Sequence, residues 1–126
     1  MIIKADSLPE IYEPDNSLVM KRVVHRDAHS DAISVTWVRL WGQHQELVCD
    51  VSDRVYYIID GQAEFQVGSE PLGQVRAGDY VFIPRGVPYV FSGDMTYLVM
   101  NGPAFVPGSD RVLDSPTLRD SLKEQS

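Results

Sequence analysis

The sequence predicts an all-β domain, a sandwich or a closed barrel. It carries roughly eight to ten short runs rich in β-branched and aromatic residues, split by glycine- and proline-bearing turns. No apolar set recurs at the 3.6-residue spacing that an amphipathic helix needs. At 126 residues the chain is long enough for one core and too short for two. The expected division is an N-terminal strand and arm over 1–30, a barrel core over 31–105 and a C-terminal arm over 106–126, all in one structural domain.

Taken in order, residues 1–30 pair short apolar runs with breakers at Pro9, Pro14 and Asp15-Asn16, leaving one strand over Leu18–Val24. Ile33–Trp41 is rich in β-branched and aromatic residues, and its two tryptophans read as core or dimer-interface mass. A turn at Gly42-Gln43 leads through Gln45–Cys49 to Arg54–Ile59, the strongest strand in the chain. Asp60-Gly61 reads as a hairpin turn. Ala63–Val67 alternates with Ala63, Phe65 and Val67 on one face. A weaker strand is expected over Leu72–Val75. Further strands are expected over Tyr80–Ile83, Pro88–Ser92 and Met95–Asn101, the last two parted by Gly93-Asp94. Ser115-Pro116 opens a short helical turn, with proline at the first helical position.

Composition excludes some partners. A net charge of −7 lacks the basic footprint that nucleic acid or an anionic membrane needs, which leaves small molecules and proteins. One cysteine, Cys49, forms no internal disulfide, and no N-terminal apolar run suits a leader or a membrane span. A cytoplasmic protein is the expectation.

The glycine and proline spacing between Gly42 and Gly93 resembles that of the cupins, small jelly-roll barrels with motifs G(X)5HXH(X)3–4E(X)6G and G(X)5PXG(X)2H(X)3N. Gly42 is followed by five residues and then Val48, Cys49 and Asp50; Arg54 and Gly61 complete the first motif. Gly78, Pro84, Arg85, Gly86 and Tyr89 fall on the second. The Gly78–Gly86 stretch also resembles the ethanolamine-utilisation type of cupin. The resemblance implies a cupin-type double-stranded β-helix with a short C-terminal arm, and a homodimer formed through strand 33–41 and the arms.

The family holds a divalent metal on three histidines and a glutamate; here Val48, Asp50, Arg54 and Tyr89 stand at those positions. Valine offers no lone pair and a guanidinium repels a cation, so no metal and no other cofactor is expected. The three histidines, His25, His29 and His44, fall outside the ligand positions. His44 reads as a turn residue, and His25 and His29 as exposed loop residues.

Strand alternation places Asp50, Arg54, Tyr56, Tyr89 and Phe91 around the interior as candidate ligand-binding residues. A buried guanidinium needs a partner. Either Arg54 pairs with Asp50 and fills the metal position, or its planar fork takes a carboxylate or phosphate. Cys49 is expected to face away from the cavity, and Arg85 to serve the turn at the rim. Two functions follow. One is a binding or accessory module for a small anionic or sugar-like molecule. The other is a metal-independent isomerase, cyclase or lyase acting on a small carbonyl or carboxylate compound.

Overall fold

The computed structural model describes residues 1–113. Nine strands form one curled antiparallel sheet: β1 (Ile11–Glu13), β2 (Leu18–Val24), β3 (Ser34–Leu40), β4 (Leu47–Cys49), β5 (Asp53–Val67), β6 (Gly73–Arg76), β7 (Tyr80–Ile83), β8 (Tyr89–Gly102) and β9 (Asp110–Val112). Among the described residues the only helical turns are two short 3-10 segments, Ala5–Ser7 and Pro14–Asn16. None is long and apolar enough to cross a membrane.

Two long strands organise the sheet. β5 runs antiparallel to β8 from Asp53↔Gly102 to Val67↔Tyr89. On its far side β5 carries β7 and then β6, while β8 carries β3 and, at Tyr89, β4. The chain order across the other half is β1-β2-β3-β8-β4-β9.

Two expected turns are corrected. Asp60-Gly61 does not reverse the chain, and Gly93-Asp94 does not divide two strands; β5 and β8 pass straight through both. The glycines serve close approach instead. Gly61 has φ +86°, beside a register shift between Ile58 and Asp60, and a Cβ there would lie 2.1 Å from the Asp94 carbonyl oxygen. A Cβ on Gly93 would lie 2.4 Å from the Gln62 carbonyl oxygen. Glycine at both places lets two long strands bend around each other in contact, where any side chain would force them apart.

β1 and β9 were not expected as strands. Each has three residues, too few for alternation to show, and each is held by its partner's edge. The helical turn expected at Ser115-Pro116 lies outside the described residues.

The inward faces of β2, β3, β5 and β8 build a core of Leu18, Val38, Leu40, Ile58, Phe65 and Met95, with Phe91 stacked on Phe65 at 4.5 Å. Neither tryptophan joins it. Trp37 lies on the outer face under the Lys21 ammonium, and Trp41 is exposed against Tyr12. Tyr80 and Phe82 of β7 are also exposed on the outside.

Candidate functional site

Alternation along β5 and β8 sets the site. Arg54, Tyr56 and Ile58 point inward from β5, and Tyr89, Tyr97 and Asn101 point inward from β8, all buried. Register arranges them in cross-strand rows. Arg54 sits between Asn101 and Ile83, Tyr56 between Val99 and Val81, and Tyr97 between Ile58 and Val38. Ile58 joins the core, and the other five, together with side chains from β1, β2, β3, β4 and β9, line a cavity of about 150 Å³ that opens to solvent.

At one end of the cavity a hydrogen-bonded chain of four side chains runs from β9 to β5. The Asp110 carboxylate accepts from Arg54 Nη2 at 2.5 Å, Arg54 Nη1 donates to the Tyr89 hydroxyl at 2.8 Å, and the Tyr89 and Tyr56 hydroxyls lie 2.6 Å apart. The Phe105 ring covers the guanidinium at 5.9 Å, a cation–π contact. Burial works against the Arg54 charge, but the oxygens of Tyr89 and Tyr56 and the Asp110 carboxylate outweigh it and hold Arg54 more firmly protonated than usual. Burial also pushes the Tyr56, Tyr89 and Tyr97 hydroxyls up, with Arg54 opposing the rise at each. All three therefore act as hydroxyl groups near neutral pH.

Of the residues expected at the site, Arg54, Tyr56 and Tyr89 line the cavity together. Asp50 does not. Its side chain is half exposed and bound to Arg111, with Arg111 Nε donating to Oδ2 at 2.7 Å. The expected Arg54–Asp50 pair is thus replaced by Arg54–Asp110. The cause is a one-residue offset in the inward face near β4, where Leu47 lines the cavity and Val48 does not. Phe91 is fully buried and sits outside the cavity lining, stacked between Phe65 and His44. Cys49 is buried, also outside the lining.

His44 is the main correction. It is 8% exposed, lines the cavity and stacks on Phe91 with centroids 4.6 Å apart. The stretch read as a turn runs alongside β8: Gln43 bridges Ser92, and the His44 amide donates to the Phe91 carbonyl. Its Nδ1 lies 2.8 Å from the Gln45 carbonyl oxygen, which only accepts. In the neutral ring Nδ1 therefore carries the hydrogen and Nε2 the lone pair.

Reasoning from sequence also missed Glu13, Arg22, Tyr97, Asn101 and Asp110, all of which line the cavity. Tyr97 and Asn101 could have been found by continuing the alternation of β8 inward from Tyr89, had Gly93 not been read as a break. Among the described residues the Tyr97 hydroxyl and the Asn101 amide make no hydrogen bond, and neither does the buried Arg54 Nε.

The residues do not suit the divalent metal that such barrels commonly hold. Of the four positions matching the family's ligands, Arg54 and Tyr89 face the cavity, a guanidinium and a neutral hydroxyl, while Val48 and Asp50 stay outside its lining. Among the described residues no group of three or more His, Cys, Asp or Glu side chains converges on one point. His25 and His29 face each other edge-on, and the His25 amide donates to His29 Nδ1.

No protein-family model matches the sequence, and no curated protein does. Solved structures do. The nucleoside dehydratase PAC13 of Streptomyces superposes with a TM-score of 0.79 at 19% identity, covering 90% of each chain. Its variants with a histidine-to-glutamine or a tyrosine-to-phenylalanine substitution, solved with uridine, match equally well. Oxalate decarboxylase from Bacillus subtilis matches at TM-score 0.75 and 16% identity over 95% of this chain and 35% of its own. KdgF from Halomonas sp. matches at 0.69 and 18% over 83% and 96%. On this likeness of structure, and on the coiled antiparallel sheet, the chain folds as a cupin-type β-barrel.

Proposed function

We propose that the barrel cavity binds a neutral, polyhydroxylated small molecule, such as a sugar or the sugar-bearing part of a nucleoside. The observation that carries this reading is the character of the lining. Among the described residues its formal charges cancel, Glu13 and Asp110 against Arg22 and Arg54, and the Tyr97 hydroxyl and Asn101 amide have no hydrogen-bond partner. Polar groups that open onto a cavity without a partner from the described residues are available to hydrogen-bond a ligand there.

The charge balance favours the sugar-like half of the sequence expectation over the anionic half. Size narrows it further. A cavity of about 150 Å³ is ring-sized by comparison with cavities of that volume that hold benzene. One five- or six-membered ring enters, and the rest of a larger ligand stays at the mouth. The uridine complexes of the Streptomyces dehydratase are a precedent on the same fold.

Isothermal titration calorimetry with ribose and uridine tests the reading. Saturable binding is expected, weakened about tenfold (~1.4 kcal/mol) by Asn101→Ala and by Tyr97→Phe. Absence of binding by either probe at millimolar concentration would sink it.

A second reading, a metal-independent lyase, is favoured by one observation: His44 lines the same cavity as the Tyr56–Tyr89 pair. In this reading His44 Nε2 takes a proton from the carbon next to a carbonyl, and the electron pair forms the new double bond as a β-hydroxyl departs. The same imidazolium returns the proton to that hydroxyl, so the net change is loss of one water. Tyr56, held as a hydroxyl, donates a hydrogen bond to the carbonyl oxygen while negative charge collects there. The structurally similar Streptomyces dehydratase is a precedent for loss of water on this fold. Deuterium uptake from D2O at the acidic carbon of a β-hydroxy carbonyl nucleoside is expected with the wild type and not with His44→Gln. Equal uptake by both would contradict the role given to His44.

A further inference from the structure

We propose that Asp110 sets the charge selectivity of the cavity by occupying the anion position of Arg54, so that neutral ligands enter and carboxylates and phosphates do not. The proposal rests on the reading of the cavity as a ligand site. A guanidinium takes an anion best along the edge formed by Nε and one Nη, where two parallel N–H groups meet two oxygens. Asp110 engages that edge through one oxygen on Nη2, and Nε is left buried without a partner among the described residues. Arg54 is thus a preformed two-pronged anion site, and the chain's own carboxylate fills one prong.

The location of Asp110 supports a role in selection. It comes from β9, the short strand that follows the turn at Pro107 and Gly108, and not from β5, which carries Arg54. Phe105 from the same segment covers the guanidinium, so β9 and its approach close this end of the cavity with one ring and one carboxylate. The Asp110 side chain is 26% exposed and that of Arg54 5%, which puts the acid on the solvent side of the pair. An incoming anion meets this negative charge before it can reach the cation behind it. A neutral ligand meets no such barrier and still finds Asn101 and Tyr97, which take no part in the ion pair.

The test is calorimetric titration of acetate and of inorganic phosphate into wild type, Asp110→Asn and the double variant Asp110→Asn/Arg54→Met. Removal of the carboxylate charge is expected to raise acetate affinity about tenfold or more over wild type, and the double variant is expected to lose the gain. Acetate binding of equal strength in wild type and Asp110→Asn overturns the proposal, as does a gain that survives Arg54→Met. Should Asp110→Asn fail to fold, Asp110→Ala refolded with and without formate is decisive. Formate is expected to restore thermal stability to that variant and leave the wild type unchanged; no restoration overturns the proposal. Uridine titrated into wild type reports separately on the neutral-ligand reading. That reading can fail while the acetate series still decides the role of Asp110.

Discussion

Two neighbouring residues of β9 each close an ion pair with the barrel, and the pairs differ in almost everything except their chemistry. Asp110 points inward to Arg54, whose side chain is 5% exposed; Arg111 points outward to Asp50, with both side chains at least half exposed. Strand alternation alone sends the two charges to opposite sides of the same sheet. On the outer side water already solvates both groups, and the pair contributes little. On the inner side the Arg54 guanidinium is only 5% exposed, so water solvates it poorly once its partner is lost. The inner pair is therefore costly to break and suited to organising a site, whereas the outer pair holds the strand edge at little consequence.

The largest expected effect follows from this contrast. Asp110→Ala leaves a buried guanidinium uncompensated and is expected to lower stability by about 3–5 kcal/mol, read from thermal or urea unfolding. Arg54→Met, which leaves only the more exposed Asp110 carboxylate unpaired, is expected to cost less. The reverse order would mean that the pair is solvated after all.

Alkaline titration separates the faces next. The folded pKa values of Tyr56, Tyr89 and Tyr97 lie above the ordinary value of 10.0, first because of burial. Their protonated forms favour the fold, so this contribution is fully present below about pH 10 and is lost as pH rises through the folded pKa values. Tyrosinate absorbance at 295 nm should show three tyrosines that resist ionisation until the protein unfolds. A single smooth titration of all six tyrosines in the native state would contradict the buried placement.

A smaller effect is expected from hydroxyl deletion. Tyr56→Phe removes the bond to Tyr89 and should cost about 1–2 kcal/mol. Tyr57→Phe, on the outer face against Tyr80, should stay within about 0.5 kcal/mol. Similar losses from both would erase the distinction.

The smallest belongs to Asp50 and Arg111. Arg111, mainly through its hydrogen bond, holds the Asp50 carboxyl below its ordinary value. Any contribution is thus present above pH 3.8 and fades as pH falls through the lower folded value. Because both groups are exposed, Asp50→Ala and Arg111→Ala are expected to leave the melting temperature unchanged at neutral pH. A marked drop would show that this pair, too, is shielded.

The fold was legible in the sequence because glycine and proline punctuation survives where side chains change. Gly42, Gly61, Gly78, Pro84 and Gly86 kept the spacing of a cupin barrel with none of its metal ligands in place. The meaning of individual glycines was less legible. A glycine that permits close approach of two strands, as Gly61 and Gly93 do, looks the same in sequence as one that turns the chain. Half of the site was legible for the same kind of reason. Arg54, Tyr56 and Tyr89 lie on strands with clean alternation, so their direction could be read.

Asp50 was misplaced because alternation loses phase across the irregular stretch before β4, where one residue of offset reverses every side chain. His44 lies in that stretch, and its polar neighbours Gln43, Gln45 and Glu46 give no sign that it packs on Phe91. Asp110 belongs to a three-residue strand 56 positions from Arg54, a contact that no local pattern encodes.

Whether the interior of the barrel is a ligand site is tested most directly by a crystal structure of the protein with uridine. The nucleoside is expected in the cavity, one ring inside, with hydrogen bonds to Asn101 and the Tyr97 hydroxyl and with His44 against it. Uridine seated elsewhere, or a cavity that stays without it at saturating concentration, would rule out the interior as its site.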